Sequence, residues 1–154
     1  MKTIPLRKSF GFLMLIAIIG LNFQESMAHC EIPCGIYADS VRIALIKEHI
    51  ATIEKSMNQI NEISKSTSPN YNQLIRWVSN KEDHAKKIQE IVSQYFLTQR
   101  IKFDDKEYDK KVSLLQKILV YAMKCKQTVD LGNLKKLREV CREFEDLYLK
   151  DHDD

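Results

Sequence analysis

Glycine and proline are scarce in this chain of 154 residues, which has four glycines and three prolines. Beyond Tyr37, only Pro69 and Gly132 remain. Turns and β-hairpins depend on these residues, so a protein built from many short strands is disfavoured. Apolar residues recur instead at steps of three and four almost to the end, which is the periodicity of amphipathic helices. The sequence therefore predicts an all-α protein.

The chain also lacks an apolar run long enough for a permanent membrane helix. Its longest run, residues 10–21, is roughly a dozen residues long, whereas a spanning helix needs ~20. Basic residues precede this run and small residues follow it, a pattern typical of a secretory signal. These residues are Lys2, Arg7, Lys8, Ser26 and Ala28. We expect residues 1–28 to be a signal peptide that is cut before His29; a retained short anchor is the alternative.

Neither sign of charge dominates, since the net charge is +3 and the expected leader carries two of these charges. No basic face interleaved with aromatic residues is visible, so we expect no nucleic-acid partner. The remainder, about 126 residues, suffices for one domain with a core. We expect an exported protein, periplasmic or secreted, without membrane contact after cleavage.

Four helical segments follow, and they predict an up-down-up-down four-helix bundle over residues 38–154. The first begins with Asp39 as N-cap and ends near residues 66–70, and the second covers about residues 71–100. A loop at residues 130–133 separates the third from the fourth. The predicted inward faces are Val41, Leu45, Ile46, Ile50, Ile53, Met57, Ile60 and Ile63; Leu74, Trp77, Val78, Ala85, Ile88, Ile91, Val92 and Tyr95; Tyr108, Val112, Leu115, Leu119, Ala122 and Met123; Leu134, Leu137, Cys141, Phe144 and Leu147.

Pairs of the form Glu-x-x-His, which carboxylate-bridged di-iron bundles use, are missing. Glu48 directly precedes His49, and Glu82 lies two residues before His84. Neither offset fits such a site. We therefore expect an apolar bundle interior, with the chemistry at the N-terminus.

Residues 29–37, His-Cys-Glu-Ile-Pro-Cys-Gly-Ile-Tyr, are the most specific motif of the chain, and we call them the hook. After cleavage, His29 offers an α-amine and an imidazole, and Cys30 an amide nitrogen and a thiolate. Cys34 brings back a second thiolate. Square-planar nitrogen and sulfur coordination suits Ni(II) or Cu(II). A redox dithiol is the alternative, but it would not need the histidine.

The hook resembles the N-terminus of nickel-containing superoxide dismutase, and the helical remainder fits the four-helix subunit of that family. The resemblance implies one nickel ion per chain, held by the His29 amine, the Cys30 amide nitrogen and the thiolates of Cys30 and Cys34. The His29 imidazole would be an axial ligand of Ni(III). Cycling between Ni(II) and Ni(III) would convert superoxide to dioxygen and hydrogen peroxide. A homohexamer, in which neighbouring subunits cover the hooks, is also implied.

The resemblance assigns two tyrosines to the surroundings of the metal. Tyr37 matches a family tyrosine close to the metal, and Tyr95 matches its partner from the bundle, where the pair would gate small anions. The alternative for each is a tyrosine at the edge of the core with its hydroxyl in solvent. Pro33 matches the residue that shapes the hook, through a cis bond.

The chain departs from better-known members at three positions. Glu31 replaces a familiar aspartate. Where a Glu-Arg pair would fix the imidazole, Ile46 stands roughly in place of the glutamate and His84 in place of the arginine. His84 is either the support of the His29 ring or a boundary histidine with a structural partner.

Two further cysteines, Cys125 and Cys141, flank the predicted loop at residues 130–133. A disulfide between them is plausible in an exported protein, and buried free thiols are the alternative. Both readings make them structural.

Two other functions compete with the dismutase. A non-enzymatic nickel or copper carrier could use the same chelate for transport. A helical interaction protein would use its cysteines for an ordinary disulfide. Metal content and superoxide turnover distinguish the three.

Overall fold

A computed structural model describes residues 36–150, in which all regular structure is helical. Helix α1 is Asp39–Ile63, α2 is Tyr71–Glu90, α3 is Tyr108–Gln127 and α4 is Leu131–Lys150. Helix α2 continues directly as a π-helix, Ile91–Arg100. The expected cleavage site, His29, Cys30, Cys34 and the Pro33 bond lie outside the described residues. None of the described helices combines the length and apolar character needed to cross a membrane.

The predicted four-helix bundle is confirmed. Each helix packs against its neighbours in sequence, and α1 also packs against α4. Short connections make successive helices antiparallel. One apolar core runs through the bundle, and its largest fully buried side chains include Tyr148, Phe96, Phe144, Met57, Ile53 and Ile118.

The predicted inward faces are mostly right for α1 and α4 and less so for α3. On α1, Val41 is 54% exposed and Ile43 is buried. On α3, Met123 is exposed, whereas Leu114 and Ile118 lie in the core. Apolar residues surround much of α3, so its own periodicity does not decide which stripe faces inward. Packing against α2 and α4 decides it.

Two helix starts differ from the prediction. Ala38 is the N-cap of α1, and Asp39 lies in the first turn without a capping hydrogen bond. The reason is that the Asp39 carboxylate binds side chains of other elements. Helix α4 begins at Leu131, inside the predicted loop, because Asp130 Oδ1 accepts the N–H of Gly132 at 2.8 Å and so starts the helix early.

Cys125 and Cys141 are buried free thiols, so of the two alternatives that the sequence left open the free thiols hold. Burial raises the pKa of each thiol to about 11. Both thiols therefore stay protonated at neutral pH and behave as core residues.

Candidate functional site

The last ten residues of the second helical segment form a π-helix, where the sequence predicted a continuous α-helix. Three hydrogen bonds here reach five residues back: Ile101 N to Phe96 O at 2.9 Å, Thr98 Oγ1 to Ser93 O at 2.6 Å and Gln99 Nε2 to Gln94 O at 2.9 Å. Long π-helices are rare, and π-helical turns are frequent at functional sites. Ten residues contain too few turns for the spacing of apolar residues to distinguish a π-helix from an α-helix.

The π-helix changes which side chains lie together. Tyr95 and Arg100 are five residues apart, and an α-helix would place them about 140° apart around its axis. In a π-helix, residues i and i+5 are joined by a hydrogen bond and lie on the same face. Both side chains therefore reach the same carboxylate, that of Asp39 at the start of α1.

Asp39 accepts hydrogen bonds from three side chains, two on the π-helix and one on α4. Tyr95 donates its hydroxyl to Oδ1, and Arg100 donates Nε to Oδ1 at 2.9 Å and Nη2 to Oδ2 at 2.6 Å. Tyr148 of α4 donates to Oδ2 at 3.0 Å. Burial acts to raise the pKa of Asp39, but the hydrogen bonds from Arg100, Tyr95 and Tyr148 outweigh it and the pKa is lowered. Asp39 is therefore an ionised carboxylate at neutral pH.

The structure brings Tyr37 and Tyr95 together, as the sequence predicted. Their ring centroids are 6.3 Å apart in an edge-to-face arrangement. Tyr95 is buried, and its oxygen also accepts the backbone N–H of Ala38 at 3.0 Å. Burial, followed by the hydrogen bond to Asp39, raises the pKa of Tyr95 to about 12. The Tyr95 hydroxyl is therefore a neutral donor held by Asp39, and the alternative of a hydroxyl in solvent is wrong for this residue.

Arg100 contacts both parts of this arrangement. Its guanidinium carbon lies 4.2 Å from the centroid of the Tyr37 ring, while its edge binds Asp39. The hydrogen bond to Asp39 raises the pKa of Arg100, so its charge is permanent. No local pattern in the sequence marks Asp39 or Arg100 as site residues, because the two lie 61 positions apart.

A groove of about 380 Å³ extends from Tyr95 along α1 and the second helical segment. Its walls carry two positively charged side chains, Arg42 and Lys87, together with His49 and one acidic side chain, Glu90. Arg42 also places its guanidinium carbon 5.0 Å from the centroid of the Tyr95 ring. The charge of this groove suits a small anion.

His84 has a side-chain partner, His49, that its own sequence neighbourhood does not indicate. Its Nδ1 lies 3.0 Å from Nδ1 of His49, and the ring centroids are 4.9 Å apart. One ring must donate and the other accept, so the two histidines have opposite tautomers. Burial lowers the pKa of both, and the positive charge of Lys87 lowers both further. Ile46 is fully buried in the core.

Within residues 36–150, no group of three or more His, Cys, Asp or Glu side chains is placed to hold a metal ion. The described chain starts at Ile36 and passes directly into Tyr37, beside Tyr95 and Arg100. The hook therefore joins the bundle at the tyrosine pair.

A family model described as nickel-containing superoxide dismutase matches residues 24–152 of the chain. The match includes the hook and all four helices. The chain belongs to this family. Comparisons with curated proteins and with solved structures gave no match.

Family membership makes the protein a superoxide dismutase, an oxidoreductase with a nickel cofactor. It does not favour the alternative of a non-enzymatic carrier. The resemblance seen in the hook is confirmed by a match that covers most of the chain. The predicted tyrosines of the dismutase lie together, whereas the predicted ligands His29, Cys30 and Cys34 fall outside the described residues.

We expect acid to destabilise the dismutase partly through His49 and His84. Their pKa values in the folded protein lie below the ordinary 6.5, so the unfolded chain takes up protons first as the pH falls. The stability that the neutral pair contributes is fully present above pH 6.5 and is lost as the pH falls through the lowered values. Urea unfolding between about pH 7 and pH 5 measures this loss.

The matched control is the double variant His49→Gln/His84→Gln, which keeps polar side chains that do not titrate. Its free energy of unfolding should fall less over the same pH range. An equal fall in both proteins would contradict the prediction.

Proposed function

We propose that the hook, residues 29–37, holds the nickel through His29, Cys30 and Cys34. The observation that carries this proposal is that the last residue of the hook, Tyr37, packs against Tyr95 of the bundle. The donor set also fits the metal, because an amine, an amide nitrogen and two thiolates suit square-planar Ni(II). When bound, the nickel supplies one-electron chemistry between its divalent and trivalent states.

The groove of the bundle would guide superoxide toward the hook, and the tyrosine pair would limit its access. The basic groove attracts a small anion, and the steering of anions by such surfaces raises association rates. Tyr95 lines this groove and Tyr37 contacts Tyr95, so the pair restricts what reaches the hook. The Tyr95 hydroxyl is already bonded to Asp39 and Ala38, so its share in this task is to fill space and hold the start of α1.

One buried acceptor supports docking of the hook against this region. Gln99 Oε1 is buried and accepts no hydrogen bond from residues 36–150. Gln99 lines the same groove as Tyr95. A donor from the hook or a water molecule would satisfy this oxygen, since buried polar atoms are rarely left unpaired.

Metal analysis of the processed protein, combined with a superoxide decay assay, tests the proposed site. We expect about one nickel ion per chain and activity that follows nickel content. Nickel bound without any activity would favour the carrier and contradict the proposal.

The leader and the assembly belong to the same proposal. Residues 1–28 act as a signal peptide, and the protein is exported with His29 at its N-terminus. The mature chains form a homohexamer whose neighbours cover the hooks. Exposed apolar side chains at the hook end of α1 support association, since Ile36 is 67% and Val41 is 54% exposed. N-terminal sequencing tests the cleavage, and a monomeric mass in solution would contradict the hexamer.

A further inference from the structure

We propose that Arg100 is a positioning residue of the nickel site, which fixes both tyrosines at the hook entry by binding Asp39 and lying over Tyr37. The inference rests on the proposed hook site. It adds a residue, and a reason for the π-helix, that the family match does not provide.

The π-helix determines on which side of the segment Arg100 lies. Regular α-helical geometry would turn Arg100 about 140° away from Tyr95, and only one of the two could then reach Asp39. The π-helix, whose backbone hydrogen bonds span five residues, places them on the same face instead. The unusual helix thus has a local result, a carboxylate bound by both side chains.

The planar shape of the Arg100 guanidinium group lets it make two contacts at once. Its edge donates two hydrogen bonds to the Asp39 carboxylate, and its flat face lies against the Tyr37 ring. A planar, delocalised cation can do both at once, whereas an ammonium group makes a point contact. The side chains of Arg100 and Asp39 are 18% and 16% exposed, so water weakens this ion pair little.

Arg100 is connected with both tyrosines. Tyr37 contacts the guanidinium directly, and Tyr95 is held through Asp39. Tyr37 is three residues after Cys34 in the sequence, so the position of its ring limits where the hook can lie. Misplacement of a reacting centre by about 1 Å can cost on the order of 100-fold in rate.

Arg100→Met tests the inference in the nickel-loaded, processed protein. We expect nickel content and helix content to stay unchanged while turnover falls about tenfold or more, as is typical for supports of metal ligands. Arg100→Lys should retain more activity than Arg100→Met, because it keeps the charge but loses the planar contact.

The matched control is Arg138→Met. Arg138 also forms an ion pair between helices, at 2.8 Å to Glu54, but its side chain is 50% exposed and no described contact joins it to the tyrosine pair. We expect its activity to equal that of the unmodified enzyme.

A readout separate from activity is the ultraviolet titration of the Tyr95 phenol, identified by its loss in Tyr95→Phe. Burial is the largest cause of the raised pKa of Tyr95, which is about 12; the hydrogen bond and charge of Asp39 raise it further, and the charge of Arg100 lowers it. Asp39→Asn should therefore lower this pKa toward 10, and Arg100→Met should raise it.

Three results would overturn the inference: unchanged turnover in Arg100→Met, turnover lost only in proportion to nickel or helix content, or a Tyr95 titration that neither substitution moves. If Arg100→Met does not fold, Arg100→Lys decides, since full activity there shows that the planar contact is not needed. Failure of the hook site itself would be seen separately, as activity that survives loss of Cys30 or Cys34.

Discussion

Substitution of either hook cysteine, Cys30→Ser or Cys34→Ser, is expected to abolish dismutase activity together with the thiolate-to-nickel absorption. Each change removes one of the two sulfur ligands of the proposed site, which would donate charge to the metal. Without both thiolates, the trivalent state is no longer accessible at the potential of the superoxide couples, because ligand type sets the potential. Absorption spectroscopy, metal analysis and superoxide decay measure the three consequences.

The matched controls are Cys125→Ser and Cys141→Ser, which remove buried thiols of the bundle. These variants should lose stability, because a hydroxyl replaces a core thiol, yet retain their nickel. Thermal unfolding and metal analysis separate the two effects. Full activity in Cys30→Ser or Cys34→Ser would show that the hook does not hold the catalytic nickel.

A mature chain that begins at Ala28 instead of His29 is expected to fold normally and to have almost no dismutase activity. The proposed site uses the free α-amine of His29 and the next amide nitrogen as one chelate ring. An additional residue turns that amine into an amide, which is a far poorer donor until it loses its proton. The extra residue also crowds the plane of the metal.

The chain that begins at His29 is the control, and circular dichroism checks that both forms have the same helix content. Superoxide decay then compares their activities at equal protein concentration. If the extended form works as fast as the control, the terminal amine is not a ligand, and a site built from side chains alone must replace it.

The sequence predicted much of the helical fold because helix periodicity is a local property. The apolar stripe of α4 is narrow, and all its predicted inward residues are buried or partly buried. On α3, apolar residues occur on several sides, so the pattern could not distinguish Met123, which is exposed, from Ile118, which is buried. Asp39 was mistaken for an N-cap because its real partners are distant in sequence.

The sequence by itself predicted the family and the metal, because the proposed donors of the hook lie within a few consecutive residues and need no fold to bring them together. Only the tertiary structure joined Asp39 with Arg100 and Tyr148, and His84 with His49. These contacts join residues that are 35 to 109 positions apart, and they depend on how four helices rotate against one another. The π-helix also depends on tertiary packing. Tyr95 and Arg100 can share one carboxylate only when α1, which carries Asp39, is packed beside them.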